Sequence, residues 1–282
     1  MEHAIAKADV LLEALPYLRA FAGKTFVIKF GGSLQETPGG EESFIQDVLF
    51  LHTAGILPVV VHGGGKEISA VQKKLGIETK FVHGLRVTDG RTMKVAASVL
   101  GGVNLRMVGR LRKLGAGASG FSGLRGAVVR ARKLVVEGGD LGFVGSPGGF
   151  FIEPVRLAQN EGRIPILSSV GVGGNGELFN VNADDVAGAL AARLKAAKLI
   201  LMTDVPGIQD AKGALISSLN SSRVRSLIKS GVISRGMIPK VKGCIQALSK
   251  GVGKAHIIDG RHRHSLLLEI FTASGVGTEM VR

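Results

Sequence analysis

The chain has no tryptophan, a single tyrosine and a single cysteine among its 282 residues. Platforms on which nucleic-acid bases stack are therefore scarce. One cysteine excludes an internal disulfide and suits a reducing compartment. That residue, Cys244, sits in a helical apolar pattern and reads as a small core residue rather than a reactive thiol. No apolar run approaches the roughly 20 residues needed to cross a bilayer. Met1-Glu2-His3-Ala4 shows no basic segment followed by an apolar stretch, so the expectation is a cytoplasmic protein with no signal peptide and no membrane association. Acidic residues are also in short supply, 22 Asp and Glu against 36 Lys and Arg, for a net charge of +14. The basic residues are scattered, densest from Arg106 to Lys113 and from Arg125 to Lys133. This pattern describes a generally basic surface and predicts no nucleic-acid partner.

Glycine is abundant, with 42 residues, and apolar residues make up 45% of the chain. Both fit a globular α/β protein with many strand-to-helix turns, large enough for one big domain or two lobes. Residues 4–15 have mostly helical apolar spacing, ended or kinked by Pro16. Strand 24–30, helix 41–54, strand 57–61 and helix 66–75 (Ile68, Val71 and Leu75 inward) then alternate, followed by helix 92–114. Apolar strands separated by amphipathic helices predict a mainly parallel sheet covered on both faces, an open three-layer α/β/α sandwich. Residues 115–155 are Gly-rich and short in period, and read as small antiparallel strands. Strand 164–172 returns to the main sheet. Helix 184–197, strand 198–203, helices 221–230 and 239–250, strand 255–259 and a short helix 264–271 form a second α/β half. The resulting division is an extension helix over 1–22, a first lobe over 23–178 and a second over 179–282.

Two of the strands break into glycines: Val27-Ile28-Lys29-Phe30-Gly31-Gly32-Ser33 and Val59-Val60-Val61-His62-Gly63-Gly64-Gly65-Lys66. Glycines at a buried strand end let the backbone approach a ligand and aim N–H groups at an anion. Two G-x-G-x-x-G matches are decoys. The one at Gly115 follows a helix, and the one at Gly171 leads into Glu177-Leu178-Phe179, which opens no helix. A Walker A loop is absent, because Gly65-Lys66 is followed by Glu67. His262 and His264 flank Arg263 in a polar loop with no further ligand spacing, which predicts no metal site.

What remains is a set of residues that handle anions. Lys29 lies at a strand end, and Arg86 stands in Gly84-Leu85-Arg86-Val87-Thr88-Asp89. Asn180, Asn182 and Asp184 alternate at a helix entrance, where Asp184 and Asp185 also suit capping. Lys240 follows Gly236-Met237-Ile238-Pro239, with proline near the helix start. Each lysine alone reads as a solvated charge, but together with the glycine turns they favour a phosphate site.

These motifs, with Thr203-Asp204-Val205-Pro206-Gly207-Ile208, run in order from Lys24 to Thr278, and the chain resembles the amino acid kinase family over nearly its whole length. The resemblance implies ATP-dependent phosphorylation of the side-chain carboxylate of N-acetyl-L-glutamate. Lys29 and Lys240 would flank the transferring phosphoryl group while Asp184 holds both lysines. Gly64, Gly65, Arg86, Asn180 and Asn182 would bind the acyl amino acid, with Arg86 gripping its α-carboxylate. Gly31, Gly32, Thr203, Asp204, Gly207, Ser234 and Met237 would line the nucleotide site. Mg²⁺ would be held mainly by ATP phosphates, with no protein metal site of its own. The chain departs from the family pattern at Ser122-Gly123-Leu124-Arg125-Gly126, where members often carry a Lys-Asp pair, and at Arg235, where they often carry glycine.

Both ends resemble arginine-inhibited, hexameric members built as trimers of dimers. The N-terminal helix with Leu15-Pro16-Tyr17 would interlace dimers, and Glu269, Gly275 and Gly277 would bind arginine. A PII-type signalling protein is a further partner the resemblance allows. Two alternatives stay open: a kinase for another acylated amino acid, such as an aminoadipate derivative, and a catalytically silent arginine-binding module. Retention of Lys29, Lys240 and Asp184 argues against silence.

Overall fold

The computed structural model of the chain describes residues 1–35, 38–123, 125–136, 139–234 and 236–282. Leu124 and Arg235, each part of a departure from the family pattern, lie outside them. The first helix, α1 (Glu2–Phe21), does not end at Pro16 but runs on through it. An interior proline removes one helical hydrogen bond. Tertiary packing holds the last turn nonetheless: Tyr17, Leu18 and Phe21 pack on the core, and the Phe21 and Phe26 rings meet edge-on at 5.2 Å.

Alternation begins with β1 (Thr25–Phe30), the single turn α2 (Gly32–Gln35), α3 (Gly40–Thr53), β2 (Leu57–His62) and α4 (Gly65–Lys74). A hairpin of β3 (Phe81–Val82) and β4 (Leu85–Arg86) turns on His83 and Gly84, both at positive φ. It leads to α5 (Gly90–Lys113), capped by Asp89, which accepts a 2.7 Å hydrogen bond from Thr92 N. Next come β5 (Gly117–Phe121), β6 (Val129–Lys133), β7 (Val144–Phe150), α6 (Glu153–Asn160), β8 (Arg163–Ser168), β9 (Val170–Val172) and β10 (Leu178–Val181). The remainder is α7 (Ala183–Leu194), β11 (Lys198–Thr203), β12 (Ser218–Asn220), α8 (Ser221–Lys229), α9 (Met237–Ser249), β13 (Lys254–Asp259), α10 (Ser265–Phe271) and β14 (Thr278–Val281).

Eight strands form one sheet in the order β12-β14-β13-β11-β1-β2-β8-β5, and every neighbouring pair is parallel except β13 with β14. Successive side chains of a strand point to opposite faces. Thus Val27, Val59, Val61, Leu199 and Leu201 join a core under α7, α8 and α9, while Phe26, Ile28, Phe30, Val60 and Ile200 join a second core under α3, α5 and α10. This is the expected three-layer sandwich.

The Gly-rich segment differs from its reading. Among the described strands of this segment β6 and β7 pair antiparallel, whereas β5 lies parallel to β8 in the main sheet. Its glycine serves close packing: a Cβ on Gly120 would sit 2.1 Å from Asn104 Oδ1 on α5. The predicted strand 164–172 is two. β8 belongs to the main sheet, and β9 turns away to close a small four-stranded sheet with β6, β7 and β10. The break falls at Ser168-Ser169, a polar pair between the apolar pieces Ile164–Leu167 and Val170–Val172 that the single-strand reading passed over.

Candidate active site

The two glycine turns follow β1 and β2 at the carboxyl ends of adjacent parallel strands, where open α/β sheets bind ligands. The turns touch each other: a Cβ on Gly32 would come within 3.2 Å of Gly65 N. Gly64 adopts an ordinary extended φ, but a Cβ there would meet Leu100 Cδ2 at 2.9 Å, so contact rather than conformation calls for glycine. Gly65 opens α4 and lines the cavity, which places the positive dipole end of that helix there. Beneath the turn, His62 is fully buried; its Nδ1 lies 3.1 Å from Gly63 O and its Nε2 3.1 Å from Asn104 Nδ2. Asn104 also donates to Ile166 O at 2.9 Å. An amide nitrogen only donates, so Nε2 accepts and Nδ1 carries the proton toward Gly63. Burial pushes the His62 pKa down to about 4, so the ring is neutral at pH 7.

A cavity of about 220 Å³ opens above these turns, lined among others by Lys29, Gly32, Gly64, Gly65, Arg86, Asn180, Asn182 and Asp184. Lys29 reaches in from β1 and lies 2.9 Å from Asp184 Oδ1, on the first turn of α7. Lys240, on the first turn of α9, lies 2.5 Å from Asp184 Oδ2. Burial alone would raise the Asp184 pKa, but the ammonium groups of Lys29 and Lys240 overcome it and hold the carboxyl at about 2. Asp184 is therefore a permanent anion, suited to aiming two cations and unsuited to accepting a proton at neutral pH. The cap of α7 is Asn182 rather than either aspartate: its Oδ1 accepts from Asp184 N at 2.8 Å and Asp185 N at 3.3 Å. That oxygen is committed to the helix, which leaves the Asn182 amide N–H groups for a ligand.

Arg86 also lines the cavity and is buried, held by four neighbours. Its Nη1 donates to Gln72 Oε1 at 2.5 Å, its Nη2 donates to Gly65 O at 2.6 Å and Ser69 Oγ at 2.7 Å, and its guanidinium lies 4.9 Å from the Phe81 ring centroid. Asn180 donates to Thr88 Oγ1 at 3.2 Å, and Thr88 donates to Arg86 O at 2.7 Å, so Asn180 and Arg86 share one hydrogen-bonded wall.

Of the residues read as a nucleotide site, Gly32 lines this cavity, and the others stand beside it along the carboxyl ends of the strands. Gly31 follows β1, Thr203 ends β11, and Asp204 and Gly207 occupy the loop beyond it. Ser234 and Met237 lie at the entrance to α9, where Met237 N donates to Ser234 O at 3.1 Å. Gly207 is held at φ +138° with Thr278 Oγ1 2.8 Å from where a Cβ would sit. Thr203, Asp204, Gly207, Ser234 and Met237 do not appear in the described lining of the Lys29 cavity.

A second cavity, about 420 Å³, lies between α1, α10 and the β13–β14 end of the sheet, with Tyr17, Lys198, His256, Glu269, Gly275 and Glu279 in its walls. Glu269 accepts from Val276 N at 2.7 Å and Gly277 N at 2.9 Å, and stands 2.6 Å from His256 Nδ1. Burial opposes its charge, but these donors win and lower its pKa. Of the two loop histidines, His262 is exposed, while His264 Nδ1 lies 2.6 Å from the buried Asp47 on α3.

Several residues that support the first cavity without lining it were not singled out by sequence reasoning: His62 and Asn104 under the glycine turn, Ser69, Gln72 and Thr88 around Arg86. The inward face of α4 is Ile68 and Gln72, an i, i+4 pair, whereas Leu75, expected inside, is 56% exposed.

A parallel sheet that brings two glycine turns, two lysines on a shared aspartate and a buried arginine to one edge has the parts of a phosphoryl-transfer enzyme. Comparison with known proteins gives the family. The profile of the Amino acid kinase family matches residues 24–259, and the chain belongs to that family. It is 50% identical to the acetylglutamate kinase of Geobacter sulfurreducens, with all of each chain covered. The N-acetylglutamate synthase of Neisseria gonorrhoeae, solved with coenzyme A and N-acetyl-glutamate, superimposes with a TM-score of 0.89 at 27% identity, covering 98% of this chain and 63% of that one. The same synthase solved with coenzyme A and L-arginine gives a TM-score of 0.80 at 26% identity, covering 97% and 65%.

Proposed function

We propose that the chain transfers the γ-phosphoryl group of ATP to the side-chain carboxylate of N-acetyl-L-glutamate, forming N-acetyl-L-glutamyl 5-phosphate in arginine biosynthesis. The relative half identical over its full length carries that activity in its name. The observation that carries the mechanism is the pair of ammonium groups, 2.9 and 2.5 Å from the two Asp184 oxygens.

A glutamyl carboxylate is already ionised at pH 7, so the nucleophile needs no general base. The obstacle is bringing an anion to an anionic phosphoryl group, and catalysis must consist of positioning and charge neutralisation. Lys29 and Lys240 neutralise the transferring group from two sides, and Asp184 fixes them without taking up a proton. Arg86 holds the α-carboxylate, Asn180 the acetamido end, and the N–H groups of the glycine turns meet substrate and phosphate oxygens. Thr203, Asp204, Gly207, Ser234 and Met237 hold the nucleotide. Both Asp184 oxygens face ammonium groups, a setting that disfavours a bare cation, so Mg²⁺ comes held by phosphate oxygens, consistent with its reluctance to shed water. The first lobe, 23–178, is the acyl-amino-acid side and the second, 179–282, the ATP side.

A regulatory reading is favoured by the second cavity. Glu269, Glu279 and the 275–277 turn offer carboxylates and backbone groups of the kind that bind a guanidinium and an α-amino group, and a structural relative was solved with L-arginine. Ile5 and Leu12 are exposed on α1, as expected of a helix that interlaces dimers into a hexamer. The test of activity is a coupled ADP-release assay with N-acetylglutamate, glutamate and an acylated aminoadipate side by side. Turnover of the first alone supports the reading, and preference for either of the others overturns the substrate assignment.

A further inference from the structure

We propose that Gln72 is a positioning residue for substrate binding, holding the Arg86 guanidinium in the orientation that meets the α-carboxylate. This rests on the reading of Arg86 given above. Gln72 lies on α4, the helix begun by the second glycine turn, and is fully buried. A buried primary amide is costly unless its polar atoms are met, and here they are met in a way that fixes its direction. Arginine only donates, so the atom 2.5 Å from Arg86 Nη1 is the amide oxygen. The same oxygen accepts from Thr79 Oγ1 at 3.1 Å. The amide nitrogen donates to Thr92 Oγ1 at 3.2 Å, on the first turn of α5, which Asp89 caps through Thr92 N. Gln72 thereby ties the guanidinium to two helices and to the strand-entry segment at Thr79.

The donor count sharpens the role. Arg86 has five N–H groups. Nη2 spends its hydrogens on Gly65 O and Ser69 Oγ, and Nη1 spends one on Gln72. Ser69 is a hydroxyl that rotates and already donates to Gly65 O at 3.1 Å, so it yields its place on Nη2 to an incoming carboxylate. Gln72 is the buried, directionally fixed partner that keeps the guanidinium plane in place during that exchange. Its neutral amide does so without cancelling the positive charge the carboxylate needs, which a glutamate at the same position would do.

The test compares Gln72→Leu, Gln72→Glu and Arg86→Lys in the full-length protein, with steady-state kinetics for both substrates and thermal unfolding alongside. Each Gln72 variant is expected to raise KM for N-acetylglutamate roughly tenfold, with KM for ATP and kcat within about twofold. Adding Gln72→Leu to Arg86→Lys is expected to cost less than it does alone, because the two residues act through one guanidinium. A lower melting temperature with unchanged KM in the folded variant that lacks the acceptor, while Arg86→Lys raises KM, overturns the proposal and leaves Arg86 standing. If Arg86→Lys itself leaves KM unmoved, the reading of Arg86 falls and this proposal falls with it. Should Gln72→Leu fail to fold, Gln72→Met, which also removes the acceptor while keeping the side-chain length, decides in its place.

Discussion

Lys240 Nζ lies 2.5 Å from Asp184 Oδ2, although the two residues stand on different helices, α9 and α7. The same carboxylate holds Lys29 at 2.9 Å, so one anion aligns cations from β1 and α9. A lysine whose charge acts mainly on the transition state affects turnover more than binding. Lys29→Ala and Lys240→Ala are each expected to lower kcat by roughly a hundredfold or more, with KM changing far less. Steady-state kinetics check this, and a pure KM effect in both variants removes the assignment.

Arg86→Lys replaces a planar fork held by Gln72, Gly65 and Ser69 with a single ammonium. The expected outcome is a rise in KM for the acyl amino acid of roughly tenfold or more, with KM for ATP near its starting value. Equal losses for both substrates would place Arg86 at a different task.

His62 gives a pH dependence of stability. Its pKa falls from 6.5 to about 4 on folding, chiefly by burial, so the unfolded chain binds the extra proton between those values. Stability contributed by the neutral ring is complete above about pH 6.5 and is lost as pH falls toward 4, up to about 3 kcal/mol. Asp47 opposes it: burial raises this carboxyl from 3.8 to about 6, which stabilises the fold as pH falls through the same range. The two separate in a variant. Denaturant unfolding of His62→Gln from pH 7 to pH 4 should show a smaller loss than the parent chain, and equal slopes would contradict the burial argument.

The two ends are tested together. Deleting residues 1–20 removes most of α1, including Tyr17, a wall of the second cavity. A hexamer should fall to a dimer by sedimentation, with weaker arginine inhibition and basal activity largely kept. Glu269→Ala frees Val276 N, Gly277 N and His256 and should weaken inhibition without changing assembly. Inhibition requires arginine to prefer one of two arrangements, since a ligand indifferent to both shifts neither. Full arginine sensitivity in both proteins, with the truncated chain still hexameric, would end the regulatory reading.

The sandwich was legible because each main-sheet strand near its centre is a short apolar run and its helices keep a 3.6-residue period. Lys29, Asp184 and Lys240 stood out by type and setting, yet the distances among them come from pairings such as β1 with β11, which no local window contains. The wall around Arg86 stayed hidden because Gln72, Ser69 and Thr88 are ordinary polar residues on helix or loop. Gln72 occupies an inward position that apolar periodicity assigns to its neighbour Val71. The path of residues 115–121 was misread because glycines that admit α5 look the same in sequence as glycines that make turns.

The placement of β1 at the middle of the sheet has a consequence for synthesis on the ribosome. Its β2 edge is paired by residues 57–62, but its other edge waits for β11, with Phe26 opposite Lys198. At ordinary translation speeds that wait is on the order of ten seconds. Throughout it, the nascent chain carries an open, apolar parallel-sheet edge, the kind of surface that templates association with other chains. A product released before residue 198 keeps that edge permanently, so stalled or truncated translation is where this protein is most exposed to aggregation and to capture by chaperones.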